Sequence, residues 1–289
     1  MGHGRWWFSN PPRWPRDRHR IMHPHISINV LSLSPAAFDQ QVEAVARIGA
    51  RAITPDIGQL GDVSATQAAS LISNAGLQSA ALTHRAFGFG DASETQAARE
   101  RLARSIDFAH TIGAPAIVMT TGGRGAHNWA DAATRFAEGI APSIAQAQKA
   151  GIKLGIEPTS HLYADASIAH RLSDCNMIAQ QANISVVIDL FACWTDSNIA
   201  EAITATAPIT SLVQVSDYVY GDRGLPCRAV PGDGAVPLDR LIPGIVEAGF
   251  RGTFDLEIIG PRLEAEGAEL GLKRAADTLG RLLQKAGLE

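Results

Sequence analysis

From His25 onward, short apolar runs alternate with stretches in which apolar residues recur every three or four positions. The runs HISINV (25–30), RAITPDI (51–57), LQSAALTHR (77–85), APAIVMTT (114–121), IKLGIEP (152–158), ISVVIDL (184–190), SLVQVSD (211–217) and TFDLEII (253–259) read as strands. Helices are expected after them at 35–50, 64–76, 93–113, 129–150, 167–182, 197–205 and 237–249, and then from the last strand to the end. Five helix ends share one pattern: RIGA, NAGL, TIGA, KAGI and EAGF. A glycine there takes the left-handed position that closes a helix, and an apolar strand follows. Eight strand–helix units over about 260 residues are the arithmetic of a single-domain α/β fold, the (β/α)8 TIM barrel. The strands are continuous apolar runs, as parallel strands buried on both faces must be. The rival, a doubly wound open sheet, lacks a GxGxxG after its first strand, and GGRG at 122–125 lacks the lysine of a phosphate loop.

Composition narrows the reading. The chain has 289 residues, 46% hydrophobic and 19% charged, which suits a large core and excludes wholesale disorder. No apolar run approaches the ~18 residues of a membrane helix. Arg5, Arg13, Arg16, Arg18 and Arg20 stand against Asp17 alone near the N-terminus, so residues 1–24 are expected to be a basic or disordered leader. Residues 25–289 form the catalytic domain, with Met22 the natural beginning of the fold. The remaining chain is acidic, which argues against gripping nucleic-acid phosphates. Cys175, Cys193 and Cys227 show no metal or disulfide spacing, and a reducing cytoplasm fits them. Homo-oligomerisation is left open.

Catalytic groups of such a barrel stand at the C-terminal ends of its strands. Four successive strand ends, the fifth to the eighth, carry Glu157, Asp189, Gln214 and Glu257. A buried carboxylate is costly unless paired or bound to a cation. Four oxygen donors make a hard site, suited to one divalent ion, Mn²⁺ or Mg²⁺. Glu157 and Glu257 sit on opposite sides of this arc and are the candidate catalytic base and acid.

These residues, with QVSD (214–217), CRAVPGDGAVPL (227–238) and GFRGTFDLEI (249–258), resemble the xylose-isomerase-like TIM barrels. That family includes sugar isomerases and epimerases, hydroxypyruvate isomerases, inosose dehydratases and 3-dehydroshikimate dehydratases. The resemblance covers residues 25–285 and implies metal ligation by Glu157, Asp189, Gln214 and Glu257. Glutamine at 214, where many epimerases have histidine, and the PGDG stretch look closer to the dehydratases. Two family positions depart. Ala192 stands where a histidine is common and Tyr220 where an arginine is common, so Arg228 or Arg85 is left to supply the positive charge.

Arg228 is expected to contact substrate or a carboxylate from a loop over the mouth. His84 and Arg85 at the third strand end, His161 on the fifth loop and Trp194 are further substrate-contact candidates. Asp217 is a candidate partner behind the metal ligands. His110 and His170 read as helical surface or packing residues, and Cys193 lacks a partner base. The leading function is a metal-dependent isomerase or epimerase. It abstracts a proton α to the carbonyl of a small polyhydroxylated, carbohydrate-like keto compound through an enediolate. The alternative is a lyase or dehydratase using the same first step, acting on a 3-dehydroshikimate-like compound or a 3-keto glycoside. A DNA-repair nuclease would call for more histidine ligands and a basic groove, and a non-catalytic barrel would not need the donor set. Neither nucleic acid nor membrane is an expected partner.

Overall fold

The computed structural model describes residues 22–289; residues 1–21, which hold nearly all of the expected leader, lie outside the described residues. The barrel begins at least as early as Met22. That side chain is buried, and the His23 ring meets the Leu288 carbonyl at 2.9 Å, tying the two ends of the barrel together.

The strands are β1 (Ile26–Asn29), β2 (Ala52–Thr54), β3 (Gln78–Ser79), β4 (Leu82–Thr83), β5 (Ala116–Met119), β6 (Lys153–Ile156), β7 (Ser185–Asp189), β8 (Thr210–Val215), β9 (Asp217–Tyr218), β10 (Arg228–Ala229) and β11 (Phe254–Leu256). One parallel sheet runs β3-β2-β1-β11-β8-β7-β6-β5-β4. Its two ends, β3 and β4, belong to the same expected third strand, split at Ala80–Ala81. Ser79 pairs back to Ile53, while Leu82 pairs forward to Ile117. A parallel bridge between Asp56 and Thr83 joins the ends. Nine segments thus fill eight barrel positions, and the expected fold is the one observed.

The helices are α1 (Phe38–Ile48), α2 (Ala65–Asn74), α3 (Ala92–Thr111), α4 (Trp129–Lys149), α5 (Leu172–Ala182), α6 (Leu190–Cys193), α7 (Ile199–Thr206), α8 (Leu238–Glu247), α9 (Pro261–Glu266) and α10 (Ala268–Lys285). The final helix is not continuous, because Gly267 at φ 94° separates α9 from α10. The expected 167–182 helix starts only at Leu172, which leaves His170 in the preceding loop. The core lies between barrel and helices, with Ile26, Ile28, Ile53, Phe136 and Phe254 fully buried. No helix among the described residues is long and apolar enough to cross a membrane. All three cysteines are free and buried.

Glycines 49, 76, 113, 151 and 249 of the repeated helix-end motif all have positive φ. The α5 end instead uses Asn183, the single non-glycine residue with positive φ among those described, at φ 56° and ψ 51°. Asparagine visits this region at lower cost than other side chains. Asn183→Ala is therefore expected to lose about 1 kcal/mol of stability and Asn183→Gly to lose none, as read from urea unfolding midpoints. Equal losses in both would show that the side chain, not the backbone conformation, matters here.

Candidate active site

Strand register determines which donors meet. Asp189 on β7 faces Gln214 on β8, and Gln214 faces Asp255 on β11. Glu257 stands two residues beyond Asp255 on the same inward face. Glu157 follows β6 directly, its N–H held by the Met119 carbonyl at 3.2 Å. Gln214 Nε2 donates to Glu257 Oε2 in a short contact. The structure brings all four expected donors to the C-terminal side of the barrel, and Glu157, Asp189 and Glu257 line one cavity of about 230 Å³.

Arg228 sits in the middle of this group. It reaches in from the β9–β10 hairpin, in which Arg228 pairs with Tyr218. Its guanidinium grips Asp189 with two bonds, Nη1 to Oδ1 at 3.0 Å and Nη2 to Oδ2 at 2.7 Å. It also donates to Ser216 Oγ at 3.2 Å, lies 3.7 Å from Glu257 Oε1, and stacks 4.8 Å over the Phe191 ring. Its own N–H is tied to the Ile259 carbonyl at 3.0 Å, which holds the hairpin against the end of β11. Arg228 thus contacts carboxylates from the pocket wall, as one branch of the expectation had it.

Burial drives the electrostatics. Glu157 is pushed well above the usual carboxylate range, first by desolvation and then by the charges of Glu257 and Asp189. Glu257 is also pushed up by desolvation, but Arg228 opposes the shift, and Asp189, Asp255 and Asp56 reinforce it. The two carboxyls therefore share one pocket with unequal surroundings.

The remaining candidates divide by position. His161 and Trp194 line an outer chamber of about 780 Å³, joined to the deep cavity through Ser160, Phe191, Ala192, Leu225 and Cys227. His170, expected to be a helical packing residue, lines it too, because α5 starts two residues later. His84 and Arg85 line neither space. Arg85 pairs with the buried Asp56 at 3.1 Å. Asp217 does not brace the ligand carboxylates, and this corrects the expectation. Gln214 and Ser216 face inward, so Asp217 faces the other way. Its carboxylate accepts four backbone N–H bonds, from Tyr218, Gly232, Gly234 and Val236, at 2.8–3.0 Å. It organises the PGDG loop beside the hairpin that carries Arg228. Cys193 is buried and its thiol pushed well above its usual range by desolvation, so it is no nucleophile.

Two buried carboxylates escaped the sequence reading. Asp255 accepts from Ser27 Oγ, from Thr54 Oγ1 at 2.8 Å and from Asn29 Nδ2 at 3.0 Å, one layer below Glu257. Asp56 ends the second strand run in TPDIG. The signal for Asp255 was its spacing of two from Glu257, which puts both on one face; that for Asp56 was its strand-end position.

The donor set fits a divalent ion in its chemistry. Glu157 Oε2 and Gln214 Oε1 are both buried with no hydrogen-bond partner, a state that costs roughly 1–3 kcal/mol per group unless something fills it. Glu157, Gln214 and Glu257 are the donors free to hold such an ion, because Arg228 occupies both oxygens of Asp189. Accordingly, no three His, Cys, Asp or Glu side chains among the described residues are gathered ready to hold a metal.

The model of the xylose isomerase-like TIM barrel family matches residues 42–282. No curated protein matches the chain. Among solved structures, a protein of Sinorhizobium meliloti is similar at 25% identity and TM-score 0.79, covering 91% of this chain and 98% of that one. The IolI protein with a bound zinc atom is similar at 18% identity and TM-score 0.80, covering 90% and 98%. D-Psicose 3-epimerase of Clostridium cellulolyticum, crystallised with D-tagatose, is similar at 15% identity and TM-score 0.73, covering 91% and 98%. At the last two identities the likeness is one of fold.

Two measurements follow from the geometry. Arg228→Met removes the cation that occupies Asp189. The variant should be less stable than the wild type without metal, because a buried carboxylate loses its partner, and Mn²⁺ should raise its thermal midpoint more than the wild type's. An equal Mn²⁺ gain in both proteins would show that Arg228 does not compete with the ion. Separately, burial lowers the His84 pKa from 6.5 to about 4, with Arg101 and Arg85 adding to the effect. A depressed pKa contributes stability that is present above the unfolded value and lost as pH falls through the folded one. Between pH 6.5 and 4 the wild type should thus lose on the order of 3 kcal/mol more than His84→Gln, measured as unfolding free energy against pH. Parallel curves would contradict a neutral buried imidazole.

Proposed function

Because the chain belongs to the xylose isomerase-like TIM barrel family, we propose that it is an isomerase or epimerase that removes a proton α to the carbonyl of a small polyhydroxylated keto compound. The observation that carries this reading is the pair Glu157 and Glu257. Both are buried at the floor of one cavity, and both hold protons more tightly than ordinary carboxyls. A base with proton affinity near neutrality is what general catalysis needs at physiological pH.

Their surroundings assign the roles. Arg228 opposes the upward shift of Glu257, so Glu257 gives up its proton more readily than Glu157 and is the group that takes the substrate proton. Glu157 faces two other carboxylates, which with burial raise its hold on a proton further, so it is the group that returns a proton to the substrate. Return at the opposite face gives an epimer, and return to the neighbouring carbon gives an isomer. Arg228, clamped by Asp189, presents a fixed positive charge to the substrate oxygens. Burial of the floor keeps water from the carbanion.

A divalent ion held by Glu157, Gln214 and Glu257 would polarise the substrate carbonyl and balance the charge of the enediolate. The zinc of the similar IolI structure supports a divalent ion, and the all-oxygen donor set favours Mn²⁺ or Mg²⁺. The reading as a nuclease is less favoured, since the donor set is three carboxylates and an amide with no histidine among them.

The test is deuterium wash-in from D₂O at the α-carbon of ketoses and inososes, followed by NMR with Mn²⁺ present. Wild type should exchange, and Glu157→Gln and Glu257→Gln should each lose about 10²–10⁴-fold. Exchange within tenfold of wild type in both variants would remove these residues from the proton path. A substrate turned over with no primary isotope effect, under conditions where chemistry limits the rate, would remove proton abstraction altogether.

A further inference from the structure

The deep cavity, at about 230 Å³, is smaller than its anteroom of about 780 Å³. Small-molecule sites usually span about 300–1,000 Å³, so the floor alone is small for a complete ligand and the anteroom is large enough for a second one. The two are continuous through Phe191, Ala192 and Leu225. Three aromatic rings, Phe191, Trp194 and Tyr218, line the outer chamber, and Tyr220 extends the chain beside them. Phe191 meets Tyr218 at 6.1 Å between ring centroids, Tyr218 meets Trp194 at 6.3 Å, and Tyr220 lies 6.4 Å from Trp194 and 6.2 Å from Tyr218. Phe191 is shared with the Arg228 stack, so the aromatic run starts at the catalytic floor.

The rim is apolar as well. Among the described residues five large hydrophobic side chains are well exposed, and three of them lie around this passage: Leu162 lines the outer chamber, Tyr163 lines the deep cavity, and Tyr220 adjoins Trp194 and Tyr218. Isolated exposed apolar groups need no account, but a gathered set at a cavity mouth marks a binding surface. The charged groups of the chamber are of both signs, Arg171 and Arg223 with Asp196 and Asp222, and Asp222 is itself held by two bonds from Arg262, so the aromatic walls and not the charges name the ligand. What such walls hold is a ring with apolar faces and polar edges. Trp and Tyr cover the face of such a ring and leave their own polar atoms free for hydroxyls.

We propose that the anteroom is a second subsite, and that the substrate is a keto sugar carrying another ring, a sugar or an aryl group, which packs against Trp194, Tyr218 and Tyr220. This rests on the reading of the deep cavity as the place of proton abstraction, and it names the class of compound that this cavity acts on. The keto sugar reaches Glu157, Glu257 and Arg228, and the added ring remains among the aromatics outside Phe191.

The experiment compares D-fructose, isomaltulose (a ketose bearing a glucosyl ring) and phenyl β-D-glucoside. Binding is read by calorimetry and tryptophan fluorescence, and wash-in by NMR, all on the full chain loaded with Mn²⁺. The subsite requires isomaltulose to bind at least about tenfold tighter than fructose, and phenyl glucoside to perturb tryptophan fluorescence. Trp194→Ala and Tyr220→Ala should bring the isomaltulose-to-fructose affinity ratio close to one, and Trp194→Phe should restore it. Tyr220 is exposed, so its variant is not expected to unfold, and far-UV circular dichroism checks this. Equal affinities for the two ketoses, with a ratio that the variants leave unchanged, overturn the subsite while wash-in with fructose keeps the catalytic reading. No wash-in with either ketose, with ring binding retained, overturns the catalytic reading and with it the assignment of the ring to a substrate. A change of sedimentation coefficient in Tyr220→Ala, with no change in the ratio, makes the patch a subunit interface and also overturns the proposal.

Discussion

Negative charge removed from water is the constraint around which this molecule is arranged. Glu157, Asp189 and Glu257 meet in a buried space, and an isolated carboxylate there would be too costly to keep ionised. Arg228 is the described cation that resolves the conflict, through two bonds to Asp189 and proximity to Glu257. Arginine suits the position because its planar fork matches a carboxylate with both N–H edges. Its placement is inherited from further out. Asp217 gathers four N–H groups of the hairpin and PGDG loop, and the Arg228 N–H is pinned to Ile259. A carboxylate that never touches the pocket thus helps set the position of the charge inside it.

One layer deeper the same problem has a different solution. Asp255 is equally buried, but three neutral side chains, Ser27, Asn29 and Thr54, donate to it. Its hydrogen-bonding capacity is met from within the barrel, and nothing is left to react. In the upper layer the capacity is not met, since Glu157 Oε2 and Gln214 Oε1 have no partner. The contrast separates a carboxylate whose hydrogen bonds are met from one left with an open oxygen on the same side of the barrel. Strand-end position, rather than burial, is where such open groups are expected.

The barrel was legible because its signal is repeated. Eight apolar runs, five helix ends with the same glycine pattern and the absence of a nucleotide loop agree with one another, and a local error changes little. The break at Ala80–Ala81 and the β9–β10 hairpin were not legible. Neither alters the hydrophobic pattern, and both are settled by contacts with neighbouring strands. The donors Glu157, Asp189, Gln214 and Glu257 could be read from strand ends, and the structure places them together. Asp217 was misread because proximity in sequence was taken for proximity in space, whereas alternation along the strand turns it away from Gln214. His170 was hidden by a helix start that lies five residues later than expected. The pairing of Arg228 with Asp189 spans 39 residues and a loop, and no local pattern encodes it.

The division between floor and mouth limits what can enter. Three carboxylates against one guanidinium leave the floor with two negative charges when all are ionised, which a divalent ion would neutralise. An anionic substrate would meet that field at close range. A neutral polyol meets no such penalty, because its hydroxyls can donate to the carboxylates and its carbon faces can lie on the aromatic rings. Selectivity would then come from two unlike surfaces in series. The inner surface is demanding in proton position and charge. The outer one is tolerant in detail, because stacking on Trp and Tyr fixes a plane rather than a hydrogen-bond pattern. A substrate anchored at both ends loses its freedom to rotate before the proton moves, so binding of the part that does not react can lower the barrier for the part that does.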